Sequence, residues 1–220
     1  MPLRRKPSQR RSQERVALIL RSTVEILQTQ GIAAVTTNSI ASQAGIPVSS
    51  IYQYFRDKVA ILAALYLDYL AGIEAVMEEF NTPERLALPW QEYFSEAIEA
   101  VARQETRDQI TRELDIGLAL FPELMEIELA HREKVTERLA ATLRRLGSSW
   151  STARLKRLAL FLYEVNSSAW RHREQPDTVA NELLEWQTAA MLAVIGRCMK
   201  EAWPGHPTDP DRHSLRGQSD

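Results

Sequence analysis

The sequence has one cysteine, Cys198, in 220 residues, so no internal disulfide can form and no Cys/His metal cluster is available. It has no apolar run near the roughly 20 residues a bilayer span needs. Its polar, basic start, Met1 to Gln13, lacks the apolar core of a secretory signal. These absences predict a cytoplasmic chain with no membrane partner. Period-2 alternation is missing, so no sheet is expected, and there is no internal repeat. A glycine-rich phosphate loop and a G-x-S-x-G motif are also missing. No enzyme activity, catalytic residue, metal site or cofactor is therefore expected. The last absence is local: from Thr37 to Phe55 there is not one charged side chain.

What the chain does have is helical periodicity and unevenly placed charge. Apolar residues make up 45% and charged residues 25%, as in ordinary soluble globular proteins, and the length suits one large or two small domains. The net charge of −2 conceals a contrast. Residues 1–60 hold nine Lys and Arg against three acids, a net of +6, while residues 61–220 hold 18 against 26, a net of −8. A basic head on an acidic body suits a polyanion-binding domain beside one that does not touch nucleic acid. A solvated basic tail is the plainer alternative.

The spacing predicts an all-α chain of about nine helices. Residues 1–12 read as a flexible basic arm, whose Arg4 and Arg5 are placed to attract phosphates. Residues 13–58 read as a small three-helix domain. Its first helix, Gln13 to Gln30, carries the stripe Val16, Leu20, Val24 and Leu27. Residues 59–202 read as a larger helical domain, and residues 203–220 as a disordered tail. A long helix from Asp57 to Phe80, with Leu62, Tyr66, Tyr69, Ile73, Met77 and Phe80 on one face, joins the two domains.

The most informative stretch is Thr37 to Phe55, TNSIASQAGIPVSSIYQYF. Thr37 can cap a short helix bearing Ile40, Ala41 and Ala44. Gly45 ends that helix, and Pro47 can open the next. Two short helices across a glycine turn are the layout of a helix-turn-helix, whose second helix enters a DNA major groove. With no charge in the segment, recognition there must be neutral: hydroxyls of Thr37, Ser50, Tyr52 and Tyr54, the amide of Gln53, and the apolar Val48. Gln53 can pair bidentately with adenine and Val48 can pack on a thymine methyl. Positive charge comes from the flanks, Arg56, Lys58 and the arm. The bland reading of the two tyrosines is core packing.

The pieces RVALILRSTVEILQTQG (Arg15 to Gly31), TTNSIASQAG (Thr36 to Gly45) and IYQYFRDK (Ile51 to Lys58), in this order and spacing, resemble the N-terminal domain of the TetR family of transcriptional regulators. Pro47 stands where that family usually has a capping serine, and Ser49 where it usually has glycine. The resemblance implies that Val48, Ser49 and Gln53 face bases and that Thr37, Tyr52, Tyr54 and Lys58 hold phosphates, with Asn38 reaching a base edge. It also implies a homodimer on a palindromic double-stranded operator, most often a repressor, and a small-molecule effector bound within residues 62–170. The alternative is a helical interaction protein that binds nucleic acid without sequence preference.

For the effector, Trp90, Phe94, Phe121, Met125, Phe161 and Trp170 are candidate pocket walls, although at helical spacing they also suit plain core. His131 on its apolar stripe reads either as a satisfied core histidine or as a group that orients a ligand. Glu128 and His131 form a single Glu-x-x-His, and helical di-iron sites need two. The last two helices carry wide apolar faces, with Leu158, Leu162, Trp186, Ala190, Met191 and Val194 as candidate dimer contacts. Closure of a monomeric core would use the same faces.

Overall fold

The structure, a computed structural model, describes residues 10–106, 110–168 and 177–199. Arg4, Arg5, Trp170 and the 203–220 tail lie outside the described residues. Among those described there are ten α-helices, one 3-10 turn and no strand.

Helix α1, Arg10–Gln30, starts three residues earlier than its periodicity predicts, its first turn supported by an Arg10–Glu14 pair at 2.9 Å. Gly31 ends it at φ 76°, ψ 172°, a conformation essentially reserved for glycine. The 3-10 turn Ile32–Ala34 follows, then α2, Thr37–Ala44. The cap of α2 is Thr36, not Thr37. Thr36 accepts from the Ser39 amide, and Ser39 answers by accepting from the Thr36 amide. Either of two adjacent threonines can cap, and the serine three residues on decides for the first. Gly45 is left-handed at φ 62°, as its position predicts, and Pro47 opens the short α3, Val48–Tyr52.

Helix α4, Lys58–Glu79, is capped by Asp57, whose carboxylate accepts from the Ala60 amide at 2.9 Å. A four-residue helix, α5 (Pro83–Leu86), follows. Thr82 caps it, and proline at a first helical position opens a helix as readily as it interrupts one. Then come α6 (Trp90–Thr106), α7 (Thr111–Leu120), α8 (Pro122–Arg145), α9 (Thr152–Ser168) and α10 (Asp177–Met199).

The apolar side chains gather into two clusters. The first joins Ile19, Ile26, Leu27, Ile40, Ile51 and Phe55 of the head to Ile61, Leu62 and Tyr66 of α4. It also takes in Ile110 and Leu114 around α7 and Leu124 of α8, so the head is seated on the α7–α8 corner as well as on α4. The second joins Phe80, Tyr93, Phe94 and Ile98 to Leu143, Leu155, Leu158, Leu162, Met191 and Ile195. Full burial of each such aliphatic or aromatic side chain contributes about 1.5–3 kcal/mol. Helix α4 passes through both clusters. That explains why it alone among the described helices is long and apolar enough to match a membrane span, while half of it is buried inside the protein.

Candidate nucleic-acid interface and internal cavity

The head presents its neutral residues outward. Asn38, Ser49, Tyr52 and Gln53 are exposed, and Thr37 and Ser50 are half-buried. Ile51 and Phe55, on the opposite side of the same segment, are fully buried and hold α3 in place. Val48 and Tyr54 are half-buried and pack against this core. Gln53 lies just past the last helical residue, at the C-cap of α3. The Thr37 and Tyr52 hydroxyls sit 3.2 Å apart, tying α2 to α3 at the surface. Burial disfavours the Asp57 carboxylate, but the Ala60 amide and the adjacent Arg56 outweigh it and hold its pKa below the usual value. Lys58 is half-buried, with its ammonium 5.6 Å from the centre of the Phe121 ring. A cation at that distance from a ring face is attracted by its quadrupole.

The body holds a partly open cavity of about 140 Å³ between α4, α6, α8, α9 and α10. Its long walls are apolar: Ile73 and Met77 from α4, Ile98 and Val101 from α6, Val135 and Leu139 from α8. Polar groups collect at its two ends. At one, Tyr93, Arg138 and Thr142 line the wall, and Arg138 is engaged by Glu78 and the Met77 carbonyl. At the other stand Glu105, His131, Tyr163 and Asn166. Asn166 donates to Glu105 at 2.9 Å and accepts from Gln187 at 3.0 Å. Tyr163 and Tyr66 both donate to Glu128, at 2.7 and 2.5 Å. Burial, and then the Glu128 charge, push both tyrosine pKa values far above the usual value, so both remain proton donors.

His131 is buried, and its Nδ1 has no hydrogen-bond partner. The nearest carboxylate oxygen, Oε1 of Glu74, stands 3.4 Å away without hydrogen-bond alignment, and the other Glu74 oxygen is held by Lys134. Burial lowers the His131 pKa against the pull of Glu128 and Glu74, so its imidazole is neutral near pH 7. A buried polar nitrogen left unmatched on a cavity wall is costly unless something pairs with it.

The candidate residues divide. Phe94 and His131 line the cavity. Trp90 packs beside it on Gly196, where a Cβ would lie 3.2 Å from the indole. Phe121 lies at the α7–α8 corner against the head, Met125 is 38% exposed and Phe161 is 50% exposed, and none of the three borders the cavity. Periodicity assigned these residues to an apolar face without saying which neighbour that face meets. Tyr163, Asn166 and Glu105 were missed because polar residues on an otherwise apolar wall look like ordinary surface in sequence. Of the candidate dimer contacts, Leu158, Leu162 and Met191 are buried in the subunit's own core, whereas Trp186 is 62% exposed, Ala190 is exposed and Val194 is half-buried. Among the described residues no group of three or more His, Cys, Asp or Glu is placed to hold a metal ion.

A helix-turn-helix head with a buried core is set on a larger helical body that holds the cavity. Residues 19–65 match the family model for bacterial regulatory proteins of the tetR family, over the stretch whose sequence pieces resemble that family. The whole fold is similar to solved regulators. A TetR-family transcriptional regulator from Streptomyces coelicolor superposes with a TM-score of 0.61 at 21% identity, over 86% of this chain and 99% of the other. One from Marinobacter aquaeolei VT8 gives 0.64 at 18% identity, over 84% and 91%. The multidrug binding protein EbrR, solved in complex with imidazole, gives 0.61 at 16% identity, over 89% and 93%. At such identities the likeness concerns the fold alone. No curated protein matches the sequence.

Proposed function

We propose that this chain is a cytoplasmic, non-enzymatic, sequence-specific transcriptional repressor that binds a palindromic operator as a homodimer and is released by a small-molecule effector. The observation that carries the reading is the pairing of an outward-facing neutral helix-turn-helix with a largely apolar cavity in the body that shares α4 with it. Ser49 and Gln53 read bases. Thr37, Tyr52 and Lys58 hold phosphates, and the basic arm adds non-specific attraction.

Two reading helices on one duplex must sit about 34–36 Å apart, which a dimer supplies. The exposed stripe Trp186, Ala190 and Ala193 of α10, with Leu160 and Phe161 of α9, supports a dimer face on the outer side of the last two helices. The cavity suits a mostly apolar effector whose hydrogen-bonding group turns toward His131, Tyr163 and Asn166. That EbrR is a multidrug binding protein solved with imidazole supports a small-molecule site in such a body. The effector acts by binding better to a state in which α4 holds the reading helices at the wrong spacing.

The test is selection by the purified protein from a pool of random duplex DNA at several salt concentrations. Enrichment of one palindrome is expected. Enrichment of nothing, with affinity collapsing steeply as salt rises, would instead indicate a head that only binds phosphates.

A further inference from the structure

The 3-10 turn Ile32–Ala34 begins at Gly31, which has no side chain with which to cap it. Its first amide is capped from elsewhere: the Ile32 N–H donates to Glu113 Oε2 at 2.6 Å, across 81 residues of sequence. Glu113 stands in the first turn of α7, where a negative charge also suits the helix dipole. Two glycines are fitted to this contact. A Cβ on Gly31 would lie 3.2 Å from Glu113 Oε2, and one on Gly117 would lie 3.1 Å from both Ile32 Cδ1 and Leu124 Cδ2.

The turn so held is bonded onward to the reading unit. Ser39 Oγ donates to the Ala34 carbonyl at 2.7 Å, fixing the turn to α2, and the Thr37 and Tyr52 hydroxyls join α2 to α3. In the other direction Thr111 Oγ1 donates to the Glu105 carbonyl at 2.7 Å, and Glu105 lines the cavity. A line of bonded groups therefore runs from the cavity wall to the reading helix by way of α7, separate from α4.

We propose that Glu113 is a positioning residue for operator binding: its carboxylate, capping the Ile32 amide, sets the pose of the 3-10 turn and α2 on the body. This assignment rests on the regulator reading above. A carboxylate on a backbone amide is a strong bond with narrow geometry. Its loss frees the turn and α2 while the apolar core around them stays packed.

The experiment compares full-length wild type, Glu113→Ala and Glu113→Gln. Hydrogen–deuterium exchange needs no DNA: Glu113→Ala is expected to speed exchange over residues 32–44 and leave α10 unchanged. Glu113→Gln, which keeps an acceptor oxygen, retains most of the protection. Glu113→Asp, one methylene shorter, carries the same expectation as the alanine variant should that variant not fold. On the site that wild type selects from random duplex, Glu113→Ala should bind about tenfold more weakly, with Glu113→Gln close to wild type. Unchanged exchange over 32–44, or a selected site bound equally by wild type and Glu113→Ala, overturns the Glu113 assignment alone. Failure of wild type to select any site overturns the regulator reading, and a role in operator binding falls with it.

Discussion

The head and the body are built from the same material, helices with one apolar face, but they finish their interiors differently. In the head, Ile19, Ile40, Ile51 and Phe55 are fully buried against Ile61 and Leu62 of α4, and the polar groups of the reading segment are turned outward. In the body, Ile73, Ile98, Leu139 and Val135 border a void of about 140 Å³, and the buried His131 Nδ1 and Gln187 Oε1 have no hydrogen-bond partner. A surface that reads a polymer must hold its side chains still, and close packing behind them does that. A site that takes in a small molecule needs space and unmet hydrogen-bonding groups, and it gives up some stability to keep them. Under the proposed function, the difference between the two interiors corresponds to a difference in what each domain recognises.

Large-to-small substitutions are the most forceful way to break that comparison. Phe55→Ala, at the fully buried centre of the head, should cost about 3–5 kcal/mol by urea unfolding. Ile98→Ala on the cavity wall should cost nearer about 2 kcal/mol, because that side chain already lacks neighbours on one side. If an Ile51→Ala variant and Ile98→Ala lose the same stability, the two interiors are not packed differently and the contrast fails. A second prediction concerns the head's surface. Gln53→Ala should leave the thermal midpoint unchanged and relax preference at one base pair by about 1–3 kcal/mol in a randomised-site selection. An unaltered preference would remove Gln53 from the reading face.

The smallest effect expected is on pH dependence, and it belongs to the body. Burial holds the His131 pKa below the ordinary imidazole value. As pH falls below about 6.5, the unfolded chain takes up a proton that the folded state resists, so folded stability declines with falling pH in that window. His131→Gln should therefore flatten the fall in thermal midpoint between pH 7.5 and 5.5. Parallel slopes for wild type and variant would show that His131 is not the group responsible.

Much of the molecule is legible in the order of its residues. The left-handed Gly45, the helix opened by Pro47, the long connecting helix and the helix-turn-helix all follow from local rules, because capping, glycine conformation and proline geometry act within a few residues. The choice between Thr36 and Thr37 as cap fails by one position, since two adjacent hydroxyls satisfy the same rule and only the bond to Ser39 separates them. The candidate cavity residues fare less evenly: Phe94 and His131 reach the void, while Phe121, Met125 and Phe161 do not. A periodic stripe says that a side chain is on an apolar face; it does not say what lies opposite.

By itself the sequence determined the helices, the placement of basic and acidic charge, and a reading segment without a charged side chain. All of these depend on residues close together in the chain or on composition. The tertiary structure alone decided where the body leaves space, which polar atoms meet it, and that the head rests on the α7–α8 corner through Glu113 and the Ile32 amide. Those features join residues far apart in the chain, 61 positions in the pairing of Glu105 with Asn166 and 81 in that of Ile32 with Glu113. No local rule carries information over such distances, because the contact forms only after several faces have been buried at once.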